Sequence, residues 1–157
     1  MLVFPDLRIE ECPPGIHTHL LHAVIRELRP ELDQAVFEAR WLYQAEHLQY
    51  RLIAAWIGEQ VAAIMGLRPV ATLSRGRFLH IDDLVVHPDY RRDGIGTALI
   101  RWAEAEARHA GMGSVYLDSR SDAVEFYRRL GYVPHGSTLV RKYLTTVAEP
   151  SNPNRAG

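Results

Sequence analysis

The sequence has few features that would set it apart from an ordinary globular protein. Only one cysteine, Cys12, occurs among its 157 residues, which excludes an intrachain disulfide framework and suits a reducing compartment. The formal net charge is −1, so no basic excess indicates a nucleic acid or membrane-surface partner. No apolar run reaches the roughly 18 residues of a membrane span, and acidic residues interrupt the N-terminus where a signal peptide would be apolar. We therefore expect a cytoplasmic protein.

Length and composition predict a single domain. Hydrophobic residues make up 47% of the chain and charged residues 24%, as in soluble globular proteins. No internal repeat is present. We expect one domain over residues 1–145, followed by a C-terminal tail over residues 146–157, because the last segment has two prolines and no hydrophobic periodicity.

The hydrophobic pattern predicts the order of the secondary-structure elements. Two helices with a bend at Arg29–Pro30 are expected within residues 16–47, because a proline interrupts a helix. Two more helices are expected, at 94–110 and 122–130. Strands are predicted at 7–12, 50–57, 61–73, 78–87, 114–119 and 137–144. Antiparallel strands followed by a strand–helix–strand unit favour a mixed sheet covered by helices.

The segment "HPDYRRDGIGTALI", residues 87–100, joins a tight turn and two arginines to the start of a helix. A helix start leaves backbone N–H groups without partners, and Gly94 and Gly96 allow a ligand to approach them closely. With Arg91 and Arg92 alongside, the turn suits a phosphate or pyrophosphate group. The same turn is also compatible with a connection that needs glycine only for steric reasons. The Walker A and dinucleotide-binding patterns do not fit, since the loop lacks the required lysine and the third glycine.

The whole stretch resembles the GNAT superfamily of acyl-CoA-dependent N-acetyltransferases. The family signature of a Leu/Val-x-Val strand end, a Pro-x-Tyr turn and Arg-x-x-Gly-x-Gly is present at residues 84–86, 88–90 and 91–96. A second signature, Ala-x-x-Phe-Tyr-x-x-x-Gly-Tyr, runs from Ala123 to Tyr132. The resemblance implies an α+β fold, an α/β/α sandwich. Its mixed, mostly antiparallel sheet would have six to seven strands and be flanked by about four helices.

The resemblance also implies which residues hold the cosubstrate, acetyl-CoA. Backbone groups at the end of the central strand would bond the pantetheine arm, and one of their N–H groups would polarise the thioester carbonyl. The arginine-glycine loop would hold the pyrophosphate. The cofactor-binding residues expected from the resemblance are Leu84, Val85, Val86, Arg91, Arg92, Asp93, Gly94, Ile95, Gly96 and Thr97. No metal is implied.

Three residues are candidates for proton transfer. In the family, the tyrosine that matches Tyr127 lies beside the CoA sulfur, where it can protonate the departing thiolate. Some relatives place a base at positions that match His80 and Asp82, because the acceptor ammonium must lose a proton. We favour Asp82 over His80, since the neighbouring Asp83 carboxylate would raise its proton affinity. Each of the three also has a purely structural interpretation, as a core aromatic residue, a hydrogen-bonded histidine or an ion-paired carboxylate.

Strand alternation predicts how the polar side chains of the central strand are distributed between the two faces of the sheet. His80, Asp82 and Leu84 are expected on one face, and Ile81, Asp83 and Val85 on the other.

The resemblance favours an N-acetyltransferase that moves an acetyl group directly to a primary amine of a small molecule or peptide. Acidic residues near the site, including Glu10 and Glu11, would suit a cationic acceptor. A catalytically silent acyl-CoA-binding or sensing module of the same fold is the alternative, and an interaction domain without cofactor is a third. A homodimer is expected because the last strand, residues 137–144, would lie at a sheet edge. No nucleic acid or membrane partner is expected.

Overall fold

The structure is a computed structural model that describes residues 4–145. The chain forms two compact units, residues 1–119 and residues 120–157. The predicted single domain over residues 1–145 stays a prediction, and the predicted tail over residues 146–157 lies outside the described residues. No helix within the described part is long and apolar enough to cross a bilayer.

The first unit contains a five-stranded sheet in the order β1-β2-β3-β4-β5. The strands β1 to β4 are antiparallel, and β5 runs parallel to β4. Their bounds are Leu7–Cys12, Arg51–Ile57, Gln60–Thr72, Gly76–Val86 and Val115–Leu117. This mixed, mostly antiparallel sheet confirms the predicted fold class, with five strands in place of six or seven.

Two helices cover one face of this sheet. They are α1, Thr18–Ile25, and α2, Gln34–Leu48, and their apolar residues join Trp56, Ile64 and Val85 of the strands in one buried cluster. The predicted interruption at Pro30 is present, but it is longer than a bend, since α1 already ends at Ile25. The Asp33 side chain starts α2 by accepting a hydrogen bond from the N–H of Val36 at 2.8 Å.

The helix α3, Ile95–His109, contacts β3, β4 and β5. Its buried residues recur at helical spacing, as expected for an amphipathic helix: Ile95, Leu99, Ile100, Ala103 and Ala107. Gly111, at φ 72°, follows its end, in the left-handed conformation common after a helix. A 3₁₀ turn at Pro88–Tyr90 connects β4 to the loop that precedes α3.

The second unit contains a 3₁₀ turn at Ser121–Ala123 and the helix α4, Val124–Arg129. The strand predicted at residues 137–144 is wrong, because the described residues there have no regular secondary structure. Leu139, Val140 and Leu144 are 81%, 83% and 87% exposed. A strand needs a partner for its backbone groups, and an apolar alternation alone does not supply one. The homodimer that was predicted from this strand therefore loses its structural argument.

Candidate active site

A bulge in β4 decides which polar side chains meet. Gly66 of β3 is opposite Asp83, whereas the next residue, Leu67, is opposite Ile81, so Asp82 is the extra residue of β4. Directly opposite residues share a face of the sheet.

The bulge changes the predicted distribution of side chains. Positions 64, 66 and 68 of β3 share one face, and their partners are Val85, Asp83 and His80. The prediction that Asp83 and Val85 lie on the face opposite to His80 is therefore wrong. A strict alternation does not survive an inserted residue, and the bulge places His80 and Asp83 on the same face of the sheet.

The Asp82 carboxylate bridges two cationic groups. Its Oδ2 accepts a hydrogen bond from Arg68 Nε at 2.8 Å, and its Oδ1 lies 3.0 Å from His80 Nδ1. Burial alone would raise the pKa of this carboxyl, but the hydrogen bonds from His80 and Arg68 outweigh it and hold the pKa below its ordinary value. The predicted rise in the proton affinity of Asp82 is wrong, because Arg68 and His80 contribute more than the neighbouring Asp83. Asp82 is an anion at neutral pH.

This anion fixes how His80 carries its proton. An ionised carboxylate only accepts hydrogen bonds, so Nδ1 of His80 is the donor, and the lone pair of the neutral ring is on Nε2. Asp118 Oδ2 lies 3.8 Å from Nε2 and would stabilise the ring once it is protonated. The His80 side chain is 17% exposed, while Asp118 is 71% exposed. Nε2 is therefore the ring nitrogen that carries the lone pair, while the hydrogen bond of Nδ1 to Asp82 holds the ring.

Asp83 belongs to a second, separate cluster. Its Oδ2 accepts a hydrogen bond from the Tyr50 hydroxyl at 3.0 Å, and its Oδ1 accepts one from Arg29 Nη2 at 3.3 Å. Burial, together with the nearby Asp83 carboxylate, raises the pKa of the Tyr50 phenol well above its ordinary value. Tyr50 therefore keeps its proton, and its hydroxyl donates a hydrogen bond to Asp83.

Gly66 makes this arrangement of Tyr50 possible. A Cβ at position 66 would lie 1.7 Å from the Tyr50 hydroxyl oxygen and 2.4 Å from its ring carbon Cζ. The tyrosine ring thus packs directly against Gly66. This glycine is the residue of β3 that pairs with Asp83 of β4.

Gly66→Ala should lower the free energy of unfolding by about 1–3 kcal/mol, because the new methyl group overpacks the space that the Tyr50 ring fills. Urea denaturation would measure the change. Gly113→Ala is the matched control, since nothing lies within 4 Å of a Cβ there. A Gly66→Ala variant as stable as the control would mean that Tyr50 moves away at no cost.

The loop before α3, which is predicted to bind a phosphate group, turns sharply at two residues with positive φ. Gly94 has φ 83° and Arg92 has φ 67°, both in the left-handed region that favours glycine. No side chain caps α3, and its first intrahelical hydrogen bond runs from Ala98 N–H to Gly94 C=O. The N–H groups of Ile95, Gly96 and Thr97 therefore have no partners within the helix.

The charged residues of this loop differ in their exposure. Arg91 and Arg92 are exposed and Asp93 is half-buried. Arg91 Nε also donates to Val86 C=O at 3.1 Å, which fixes the loop to the end of β4.

The strand β4 separates from β5 just before this loop. Only Leu79, His80 and Ile81 pair with β5, and β4 continues five residues further, from Asp82 to Val86. His87 N–H donates to Ala62 C=O of β3 at 2.8 Å. Because backbone groups alternate in an antiparallel pair, Val85 also faces β3, whereas Leu84 and Val86 face the side from which β5 has diverged. Of the three residues predicted to bond the pantetheine arm, only Leu84 and Val86 therefore direct their backbone groups away from β3.

Tyr127 lies on α4 in the second unit. It contacts the rings of Phe126 and Tyr132, with centroids 5.0 and 5.9 Å away. Burial raises the pKa of its phenol above the ordinary value. The hydroxyl therefore stays protonated at neutral pH.

Comparisons with known proteins show the family to which the chain belongs. The model of the family described as "Acetyltransferase (GNAT) family" matches residues 15–132. The chain belongs to this family. It is 34% identical over 125 residues to the uncharacterized N-acetyltransferase YhdJ of Bacillus subtilis, covering 77% of this chain and 87% of the relative.

Two further similarities extend the comparison. The aminoalkylphosphonate N-acetyltransferase of Salmonella typhimurium is 34% identical over 122 residues, covering 73% of this chain and 78% of the relative. The crystal structure of a Trypanosoma brucei acetyltransferase superposes with a TM-score of 0.72 at 24% identity, covering 88% of this chain and all of that chain. The structural likeness shows the fold, and the sequence relatives support the conclusion that this GNAT protein is an N-acetyltransferase.

Sequence reasoning missed four residues of the site: Arg29, Tyr50, Arg68 and Asp118. None of them lies in a family motif, and each reaches His80, Asp82 or Asp83 from another element of the first unit. The available signal was Gly66, a glycine in the middle of an apolar strand, which often marks a bulge or a close approach.

Proposed function

We propose that this GNAT enzyme transfers the acetyl group of acetyl-CoA to the primary amine of a small-molecule acceptor, in the cytoplasm, with His80 as the base. The observation that carries the proposal is the chain of hydrogen bonds that links Arg68 of β3 to Asp82 and His80 of β4. Through the turn at Pro88–Tyr90 and the loop that follows it, β4 leads to the uncapped start of α3. A base and an anion-binding loop are thereby held on consecutive elements.

The residues present fit acetyl-CoA. The N–H groups of Ile95, Gly96 and Thr97 supply donors for a pyrophosphate, with the arginines of the loop beside them. The backbone groups of Leu84 and Val86, on the side where β5 has diverged, would bond the amides of the pantetheine arm. When bound, acetyl-CoA supplies an activated thioester carbonyl for the amine to attack.

His80 would remove the proton that makes the acceptor unreactive. An alkylammonium has no lone pair, and its pKa of about 10.4 keeps it protonated near pH 7. Nε2 of His80 takes this proton, directly or through one water. Asp82 holds the ring in the required tautomer and stabilises its positive charge, as the aspartate does in the serine-protease triad. Arg68 keeps Asp82 ionised.

Tyr127 would return a proton to the other end of the reaction. The family resemblance assigns it to the sulfur that leaves, and its raised pKa keeps its proton available for donation. Two protons leave the acceptor nitrogen. His80 takes the first before the attack and later releases it to solvent. The second leaves as the amide forms and restores, through solvent, the proton that Tyr127 gave to the thiolate.

Transfer in a single step is supported by the state of the only cysteine. Burial raises the pKa of the Cys12 thiol to about 11, and the residue is 5% exposed on β1. A protonated, buried thiol is a poor nucleophile, so an acyl-cysteine enzyme is not part of the proposal.

The relatives support a small acceptor, since the Salmonella protein is named for an aminoalkylphosphonate. The experiment is a screen for release of free CoA over amino acids, phosphorylated amines, polyamines, aminoglycosides and lysine peptides, with products identified by mass. Acetylated products without any protein-bound acetyl group are expected. An acetyl group retained on the protein would contradict direct transfer.

Tyr127→Phe should lower kcat by roughly 10- to 1000-fold, the effect of losing a positioned acid. The ring stays, so its contacts with Phe126 and Tyr132 are kept and the affinity for CoA should change less than about twofold. Steady-state kinetics and calorimetric titration with CoA measure the two quantities. Phe126→Leu on the same helix is the control for packing, and it should affect kcat less than Tyr127→Phe does. Equal losses in both variants would reduce Tyr127 to a structural residue.

A further inference from the structure

We infer that the acceptor is an amine that also carries an acidic group, a carboxylate or a phosphate-type group, and that Arg40 binds this acidic group. The inference rests on the proposed function and names its acceptor class. It comes from a cavity of about 380 Å³ in the first unit, beside Asp83 and Tyr50.

The cavity has the size and lining of a small-molecule site. Its volume falls within the range of ligand pockets, roughly 300–1000 Å³. Phe37 and Trp41 of α2 form an aromatic wall, with stacked rings whose centroids lie 5.7 Å apart. Asp83 forms part of the wall on β4, one residue from Asp82 of the proposed proton relay. His80 and Asp82 do not line the cavity, but Asp83 and His80 face the same side of the sheet, opposite Gly66 and Arg68 of β3.

The acidic side chains near the site do not favour a polycation. Asp82 is paired with Arg68 and Asp83 with Arg29, so their charges are already balanced within the first unit. The other two acids that suggested a cationic acceptor, Glu10 and Glu11, lie on β1, three strands from β4 in the sheet.

Both of these carboxylates on β1 also form ion pairs, Glu10 with Arg8 and Glu11 with Arg51. The expectation of an acceptor selected by excess negative charge therefore lacks support.

The cavity wall leaves one cation and one anion without partners. Arg40 and Glu31 both line it, and neither makes a side-chain hydrogen bond or ion pair within residues 4–145. A ligand with one ammonium and one acidic group matches this pair, whereas a diamine or polyamine places its second charge against Arg40. A guanidinium is the donor best suited to a carboxylate or phosphate, because it can offer two parallel N–H groups.

Trp41 adds a donor to the same wall. Its side chain is 2% exposed, and its indole N–H has no acceptor among the described residues. Buried donors without acceptors are rare in folded proteins. An oxygen of the ligand, or a water that it orders, would satisfy this N–H.

The test compares acceptors that differ only in the acidic group. The probes are 4-aminobutyrate, its neutral amide 4-aminobutanamide, and the diamine putrescine, with the phosphate ester of an amino alcohol as a second acidic probe. Wild-type enzyme should use the better acidic probe with a kcat/KM at least about tenfold above those of the amide and the diamine. A diamine that is the best substrate would overturn the inference.

Arg40→Gln should raise the KM for the acidic probe about tenfold, with kcat and the KM for the amide within about twofold of wild type. Arg26→Gln is the matched control, because Arg26 is exposed on the same unit and does not line the cavity. An equal change for the acidic probe and the amide would overturn the assignment of Arg40.

Binding without turnover separates this inference from the proposed function. If no probe is acetylated although CoA binds, the proposed function fails, and the same probes are then titrated while the tryptophan fluorescence is followed. Preferential binding of the acidic probe, lost in Arg40→Gln and kept in Arg26→Gln, supports the cavity assignment by itself. Equal or absent binding of all probes overturns it.

Discussion

Gly96→Val should reduce the affinity for CoA by roughly a hundredfold, the loss expected from about two charge-assisted hydrogen bonds. Gly96 lies in the first turn of α3, outside the left-handed region, so valine adopts its backbone conformation without strain. The branched side chain would instead block the approach of a pyrophosphate to the N–H groups of the helix start. Calorimetric titration with CoA measures the affinity, and circular dichroism measures whether the fold is kept.

Gly113→Val provides the control for this experiment. The position has open space around a Cβ, so the variant should bind CoA as wild type does. Gly94→Val is a less informative variant, because at φ 83° a branched residue is strained whatever the ligand requires. A folded Gly96→Val variant with wild-type affinity would show that the loop is only a strand-to-helix connection.

Most of the fold could be predicted because its elements are amphipathic on their own. The helical repeat of α3 and the apolar strands β2 to β4 lie within a few residues of their predicted bounds. The segment at residues 137–144 shows the limit of this reasoning. Its apolar residues indicate what a strand would contain, but they do not supply the neighbouring strand that would pair with it.

For the candidate site, the sequence indicates the loop that forms a contiguous motif. It does not indicate the side-chain contacts that depend on the pairing of strands across the sheet. The arginine-glycine loop is contiguous, so the sequence alone indicated its chemistry. The bulge at Asp82 results from the register between β3 and β4, which no local pattern reveals. Arg68 reaches Asp82 from the adjacent strand, so neither the depressed pKa of that carboxyl nor the role proposed for His80 followed from neighbouring residues in the chain.

His80→Gln should lower kcat/KM near pH 7 by about 100- to 10,000-fold, the range for loss of a general base. Glutamine can hydrogen-bond Asp82 but cannot take a proton from the acceptor. The deficit should shrink as the pH rises toward about 10, where the free amine is abundant and needs no base. His109→Gln, on the exposed last turn of α3, is the control and should stay within about twofold of wild type at every pH.

Asp82→Asn distinguishes the base from its positioning residue. Because its depressed pKa keeps Asp82 ionised at neutral pH, the carboxylate has little tendency to accept a proton, and its loss should lower kcat/KM by no more than the loss of His80 does. The double variant Asp82→Asn/His80→Gln should lose no more kcat/KM than His80→Gln alone, because Asp82 acts only through His80. Arg68 and Asp118, the other charged groups near the pair, remain in this variant. A larger loss in Asp82→Asn than in His80→Gln would make Asp82 the base after all.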